Sequence, residues 1–343
     1  MLFLNVEIMK KQAKFWEKLD NKKVQCNLCA HHCKINEDKV GICSVRKNEN
    51  YTLYTTIYGA CSSIAVDPIE KKPLYHFHPG TNAFSIGTVG CNFKCLHCQN
   101  YTIATADETF GYTRDLTAED TVDLAKQNNC SGIAYTYNEP TIWHEFTFDS
   151  AKLAKKAGLY TCYVTNGYIT EEPLKELSNV LDAMNIDVKA FTDSFYKKVC
   201  KASLKPVLKT CELAKELGIH IELTYLVIPG YNDSLEEVRD FCNWVLVNLD
   251  KKTPVHFSRF HPYYKMKDVP MTPLKTLNGI YDIARKSGLS YVYLGNVAHG
   301  DYENTFCPNC GNLCIERQGY SVDLVGIKDN KCLKCGKKID IVI

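Results

Sequence analysis

The chain has 343 residues, 45% of them apolar and 23% charged, with a formal net charge of +2. This length admits a core of about 200–250 residues with smaller additions, and so even a charge excludes a nucleic-acid-sized basic field or a solvating acidic tail. Apolar runs are far short of a membrane span, and Met1–Lys11 has neither the basic flank nor the small-residue cleavage site of a leader. Met9, followed by Lys10 and Lys11, would begin a chain equally well. Eighteen cysteines, bunched at both ends and at one central loop, predict metal thiolates in a reducing cytoplasm and not a disulfide scaffold.

In chain order, Cys26, Cys29, Cys33 and Cys43 come first, at C-x2-C-x3-C-x9-C spacing with Gly41 before the last. Four soft ligands this close predict a closed site that zinc or a second iron–sulfur cluster would accept, zinc being preferred; His31 and His32 are alternative ligands. Tyr51–Val66 alternates apolar with small or polar residues and predicts a β-hairpin. Asp67–Gly80, DPIEKKPLYHFHPG, is a shaped loop, since its prolines and glycine suit neither helix nor strand. Its Lys71, Lys72, His76 and His78 reach a carboxylate or a substrate on one reading and form a solvated face on the other.

The apolar run Ala83–Val89 then leads into GTVGCNFKCLHCQN (Gly87–Asn100), with Cys91, Cys95 and Cys98 at C-x3-C-x2-C. A [4Fe–4S] cluster usually takes four cysteines, so three leave one iron for a ligand that is not protein. Zinc would want a fourth ligand nearby, and no cysteine follows until Cys130. From here strand candidates (83–89, 132–137, 160–165, 183–188, 219–228, 255–260 and 291–294) alternate with helix candidates (118–128, 142–156, 172–178, 204–217, 235–247 and 273–286). Thr117 with Asp120 reads as a capping box, and Gly218 as a C-terminal stop. Six or seven such units predict an α/β fold, a full or partial (β/α) barrel with its chemistry at the C-terminal strand ends. The expected divisions are a Cys-rich metal-binding segment over 1–80, the barrel over 81–300 and a zinc-ribbon-like tail over 301–343.

Those strand ends carry Tyr137-Asn138-Glu139-Pro140, Thr165-Asn166-Gly167, Asp187-Val188-Lys189, Leu226–Gly230 and Ser258–Pro262. A carboxylate at Glu139, held by a proline, suits a cationic partner such as an ammonium group; TNG is also simply a good turn. In the tail, Cys307 and Cys310 pair with Cys332 and Cys335 as two C-x2-C knuckles, a four-thiolate zinc ribbon with a rubredoxin-like iron site as the alternative. No broad basic-aromatic face accompanies it, so no nucleic-acid partner is expected; a protein-docking or lid role fits better.

Read together, CNLCAHHC…GIC, DPIEKKPLYHFHPG, GCNFKCLHCQN, YNEPT, TNGY, DVKAF, LVIPGYND, HFSRFHP, YVYLGN and the closing ribbon resemble the AmmeMemoRadiSam-system radical S-adenosylmethionine (SAM) enzymes, relatives of pyruvate formate-lyase activating enzyme. The resemblance covers almost the whole chain. It implies that Cys91, Cys95 and Cys98 hold a catalytic [4Fe–4S] cluster whose open iron is chelated by the SAM amino and carboxylate groups. Glu139 then contacts the SAM amino group, Asn138 belongs to the same cofactor site, Thr165, Asn166, Asp187 and Lys189 line its carboxylate and ribose, Leu226–Gly230 meets the adenine, and His261 lies near the adenosyl moiety. Arg259 is a candidate for substrate or for a barrel ion pair. The implied activity is reductive cleavage of SAM to a 5′-deoxyadenosyl radical that takes hydrogen from a substrate the sequence does not name. The electron donor would be a flavodoxin or ferredoxin, and the partners Memo-like and AMMECR-like proteins. Activation of a glycyl radical enzyme is the second reading, and iron–sulfur electron transfer or metal binding without SAM cleavage the third. The sequence departs from the pattern at Ala30, usually proline; at Tyr137 and Asn138, where relatives have two glycines; and at Val164, where an aspartate stands in the best-known activating enzymes.

Overall fold

The structure, a computed structural model, describes residues 10–111, 113–297 and 300–343, so the reading of Met1–Met9 lies outside the described residues. An eight-stranded sheet carries the fold: β1 (Ser63–Pro68), β2 (Asn82–Gly87), β3 (Gly132–Tyr135), β4 (Tyr160–Thr165), β5 (Ala183–Asp187), β6 (His220–Val227), β7 (Val255–Arg259) and β8 (Val292–Gly295). Seven strands, β2 to β8, are parallel in sequential order, and β1 is antiparallel to β2 at one edge. The strand alternation is therefore real: α1 (Ala118–Gln127), α2 (His144–Lys156), α3 (Glu171–Leu177), α4 (Leu204–Glu216), α5 (Leu235–Asn248) and α6 (Leu274–Lys286) fill the connections. Thr117 and Asp120 close the expected capping box on α1. Gly218, at φ +80, ends α4 in the left-handed conformation that a side chain tolerates poorly.

The sheet starts before residue 81, because β1 lies upstream of the loop 69–81. The hairpin expected over Tyr51–Val66 is split for the same reason. Thr52–Thr55 turns back on Arg46–Glu49 across Asn50 and Tyr51, both at positive φ, as a two-residue hairpin turn demands. Ser63–Pro68 pairs instead with β2.

The loop after β1 plugs the lower end of the barrel. Asn185 on β5 donates to the Pro73 carbonyl at 2.7 Å, and Glu222 on β6 accepts from the backbone N–H groups of Tyr75 and His76 at 3.0 and 2.7 Å. The Tyr75 ring meets His256 on β7 and Tyr293 on β8, while Phe77 meets Tyr160 on β4. One short segment touches five strands, so the sheet curls around it as a partial barrel. Lys71 and Lys72 both close on Asp67 at 2.7 Å, His76 bridges Tyr293 and the Asp340 carbonyl, and His78 stacks on Tyr160. These four side chains are structural here, spent on the plug.

The Cys-rich segment packs at the opposite, upper end. Ala30 N–H donates to the Tyr168 carbonyl and Thr170 N–H to the Leu28 carbonyl, both at 3.2 Å. Arg46 and Glu145 form a fully buried ion pair at 2.6 Å that ties this segment to α2. Removing either partner of such a pair costs about 3–5 kcal/mol, because the other charge stays buried. The cysteine tail sits below: Val342 bridges Phe77, and Ile339, Ile341, Cys314 and Ile315 share a core with Tyr291 and Tyr293. A lid over the chemistry, one role expected of the tail, is excluded by that position; it closes the base of the barrel.

Candidate functional site

The C-terminal ends of β2, β3 and β4 meet in one hydrogen-bonded unit, with the end of β5 beside it. Asn138, just beyond β3, grips the cysteine loop: its Oδ1 accepts from Thr88 N–H at 3.1 Å and its Nδ2 donates to the Gly90 carbonyl at 2.8 Å. Asn100, at the far end of that loop, donates to the Tyr137 carbonyl at 2.6 Å. Cys91, Cys95 and Cys98 are thus carried by a loop anchored at both ends, and all three are partly exposed.

Glu139 is 1% exposed and binds three donors: Thr141 N–H at 3.0 Å and Thr165 Oγ1 at 2.6 Å on one oxygen, Asn166 N–H at 2.8 Å on the other. Burial still outweighs these bonds and raises its pKa. Asn166 passes the connection on, with Nδ2 2.7 Å from Asn92 Oδ1 and 4.0 Å from Cys91 Sγ. Cys91 also accepts from Phe93 N–H at 3.4 Å. Burial, and then the Glu139 charge and the Cys95 thiol, push the Cys91 thiol well up. A trio of such thiols on one anchored loop is a donor set suited to a soft metal cluster, which would draw them to the thiolate.

Asp187 and Lys189 pair at 2.8 Å. Burial lowers Lys189, but Asp187 and the thiols of Cys95 and Cys200 more than reverse this and hold it well above the ordinary lysine range. Asn232, from LVIPGYND, donates to the carbonyls of Lys189 and Leu226 at 2.7 and 2.8 Å, locking the ends of β5 and β6 together. His261 follows β7 but is exposed, without a hydrogen bond to the other site residues among those described. Arg259 donates to the Thr272 carbonyl at 2.8 Å and enters no ion pair among the described residues.

Three features were not read from the sequence. Asn92 is the link between TNG and the thiol loop. Cys200 stands beside Cys95, on a segment whose carbonyls at Val199 and Cys200 accept from Leu96 and Lys94 N–H; this contact and burial push the Cys95 thiol well up. Tyr137 adopts φ +72, the left-handed region that favours glycine. Its hydroxyl reaches down to Asp67 Oδ2 at 2.6 Å and Lys72 lies 4.8 Å over its ring, contacts that offset the backbone strain.

Below the barrel, the sulfurs of Cys307, Cys310, Cys332 and Cys335 all lie within 4.8 Å of one another, with pairs at 3.6 and 3.7 Å. Four sulfurs about 2.3 Å from one tetrahedral ion stand about 3.8 Å apart, so this quartet fits a mononuclear site. Desolvation opposes it, but N–H donors from Cys335 and Lys334 lower the Cys332 thiol to about 6, toward the ligating form. Near the upper site, Cys26, Cys29, Cys33 and Cys43 line one cavity. His31 turns its Nε2 to the Asn92 carbonyl at 2.7 Å, and His32 is exposed and bonded to Asn27.

A thiol trio at the mouth of a partial (β/α) barrel, backed by an acidic strand end, points to a class, and residues 85–242 match the radical SAM superfamily: the chain carries a radical SAM domain. It is 49% identical over 97% of its length to the whole of "Uncharacterized protein MJ0808" of Methanocaldococcus jannaschii. It is 26% identical to the pyruvate formate-lyase 1-activating enzyme of Escherichia coli K12, over 56% of this chain and 79% of that one. In fold it is similar to Streptococcus suis SuiB bound to precursor peptide SuiA, with a TM-score of 0.50 at 12% identity over 67% of this chain and 52% of that one. No helix among the described residues is long and apolar enough to cross a membrane.

Proposed function

We propose that the chain is a radical SAM enzyme that takes hydrogen from a substrate still to be identified, with Cys91, Cys95 and Cys98 holding a [4Fe–4S] cluster and the ends of β3, β4 and β5 holding SAM. When bound, that pair supplies reductive cleavage of the sulfonium C–S bond and so a 5′-deoxyadenosyl radical. The chain's residues supply position. Glu139 accepts three donors where a carboxylate has about four lone-pair sites, leaving one for an ammonium group. Asn138 and Asn100 fix the thiol loop, and Lys189 sets a positive charge beside Cys95. The plug of residues 69–81 fills the lower barrel and keeps water from entering there.

The single observation carrying this reading is the chain of contacts Glu139–Asn166–Asn92 with Cys91, which makes the acidic strand end, the TNG turn and the thiol loop one unit. The motif series supports the finer assignment: an AmmeMemoRadiSam-system enzyme with Memo-like and AMMECR-like partners, fed by a flavodoxin or ferredoxin in the cytoplasm. His261 would serve the adenosyl side, and the tail quartet would hold zinc. After anaerobic reconstitution and reduction, the protein should form 5′-deoxyadenosine from SAM; none formed would leave only electron transfer or metal binding. Identity to the Escherichia coli activating enzyme favours a second reading, activation of a glycyl radical enzyme. A glycyl doublet in the paramagnetic resonance spectrum of a partner would establish that reading over the first.

A further inference from the structure

We propose that the face of the molecule around Cys95 and Leu96 is a docking surface for a small acidic protein that carries single electrons, gripped by Lys198, Lys201, Lys265 and Lys267. The inference rests on the reading of Cys91, Cys95 and Cys98 as a cluster site, and adds where that cluster is fed. Main-chain bonds place the four lysines. Lys94 and Leu96, on either side of Cys95, donate to the carbonyls of Cys200 and Val199 at 3.0 and 3.1 Å, and the Leu96 carbonyl accepts from Lys265 N–H at 3.0 Å. Residues 193–201 and 261–268 therefore flank the thiol loop where Cys95, itself partly exposed, leaves it.

These two stretches hold five lysines and two aspartates, a net charge of +3, where the whole chain has +2. Asp193 is already taken by Lys197 at 2.7 Å and by Leu204 N–H at 3.1 Å. Lys198, Lys201, Lys265 and Lys267 are exposed and enter no ion pair among the described residues. Like charges gathered without partners repel one another and attract an acidic surface. The middle of the face is apolar: Leu96 is half-buried and Tyr263 is 44% exposed. An apolar centre inside a charged rim is the anatomy of a protein interface, and electron-transfer encounters stand at the small end of that class. A single-stranded nucleic acid would need ring faces free to stack its bases, but Tyr101 and Tyr264 stack on each other at 4.4 Å. A carrier seated over Leu96 lies one residue along the chain from a proposed cluster ligand. Rim charges act chiefly on the rate of encounter, which suits a donor that must bind, deliver and leave.

The test uses the reconstituted protein with a flavodoxin and, separately, a plant-type ferredoxin, each chosen with a net negative charge. Binding of the oxidised carrier is measured by calorimetry, and oxidation of the reduced carrier is followed by stopped flow without SAM. At least one carrier should bind, about tenfold more weakly when salt rises from about 50 to about 200 mM. K198E/K201E and K265E/K267E should each lower affinity and second-order rate about tenfold, while dithionite, a small reductant, reduces every variant at the wild-type rate. K152E/K156E, the same charge change at exposed sites on α2, should alter neither. No binding of either carrier, losses below about twofold in both lysine pairs, or an equal loss in K152E/K156E overturns the proposal, as does tighter binding of oligouridylate through the same lysines. Lysine-dependent carrier binding by a wild type that takes up no iron would keep the surface while removing the reading of the Cys91 loop.

Discussion

Replacing Glu139 by Gln keeps the shape of the side chain and removes one acceptor from a place where nothing else can serve. The carboxylate takes Thr141 N–H, Thr165 Oγ1 and Asn166 N–H at 3.0, 2.6 and 2.8 Å, in a site 1% exposed. An amide has one oxygen. If that oxygen faces Thr141 and Thr165, the NH2 group confronts Asn166 N–H; reversed, it confronts Thr141 N–H. Either way a buried backbone donor loses its acceptor, which costs about 1–3 kcal/mol. The remaining bonds also lose their charge assistance. Relief from burying a charge, the cause of the raised Glu139 pKa, offsets part of this. A net loss of about 2 kcal/mol follows, or roughly 3 °C in thermal midpoint for a chain of this length. Thr165→Val removes one of the same donors, so the double variant E139Q/T165V should fall short of additivity by about 0.5–3 kcal/mol. Thermal unfolding of the four proteins, prepared without oxygen, measures both numbers. An E139Q midpoint within about 1 °C of wild type, or strict additivity with T165V, would refute the argument that this carboxylate joins the strand ends.

Cys200 touches Cys95 but is not expected to fill the open iron corner, so C200A should keep about four irons and four sulfides at the Cys91 loop and lose only about 1 kcal/mol of stability. Loss of that cluster in C200A would mean a fourth protein ligand and no place for SAM. Burial holds His76 neutral, lowering its pKa to about 4, and the ring bridges Tyr293 Oη and the Asp340 carbonyl. Between about pH 6.5 and 4 the unfolded chain therefore binds a proton that the folded one does not. This contribution is complete above about pH 6.5 and disappears as pH falls to 4, a loss on the order of 3 kcal/mol. Glu222, held low by His220 and His256 against its burial, adds a further loss below about pH 4.5. Denaturation midpoints from pH 7 to 4.5 should fall less steeply for H76Q than for wild type; equal slopes would contradict the assignment. Stripping metal with a strong chelator, or C332S/C335S, should release one ion and expose residues 305–343 to protease while the barrel persists. Full protection after proven metal loss would show that the tail core around Ile315 and Ile339 folds unaided.

The sequence made the barrel legible because its cues are local. Alternating apolar runs, Thr117 with Asp120, and Gly218 each state their structure within a few residues, and the strand ends follow from the strands. What escaped depends on contacts between distant segments. Nothing around Tyr137 announces that its ring will enter the barrel and meet Asp67, seventy residues earlier. Asn92 and Asn166 are likewise ordinary asparagines until β2 and β4 bring their loops together. Lys72 and His76 stayed open between reaching a carboxylate or substrate and forming a solvated face, because charged groups in a shaped loop usually face ligand or solvent; here the loop turns inward, and their partners come from β1, β8 and the tail. The two outer cysteine quartets make the point most sharply. Both contain a C-x2-C pair, and spacing alone allowed zinc or iron for each. Their difference lies in closure: C-x2-C turns at both ends of the tail quartet gather its four sulfurs within 4.8 Å of one another, while Cys33 and Cys43 come from separate backbone segments around Ile35 and Gly41 and line a small cavity with Cys26 and Cys29. That closure is a property of the packed backbone, which spacing along the chain does not state.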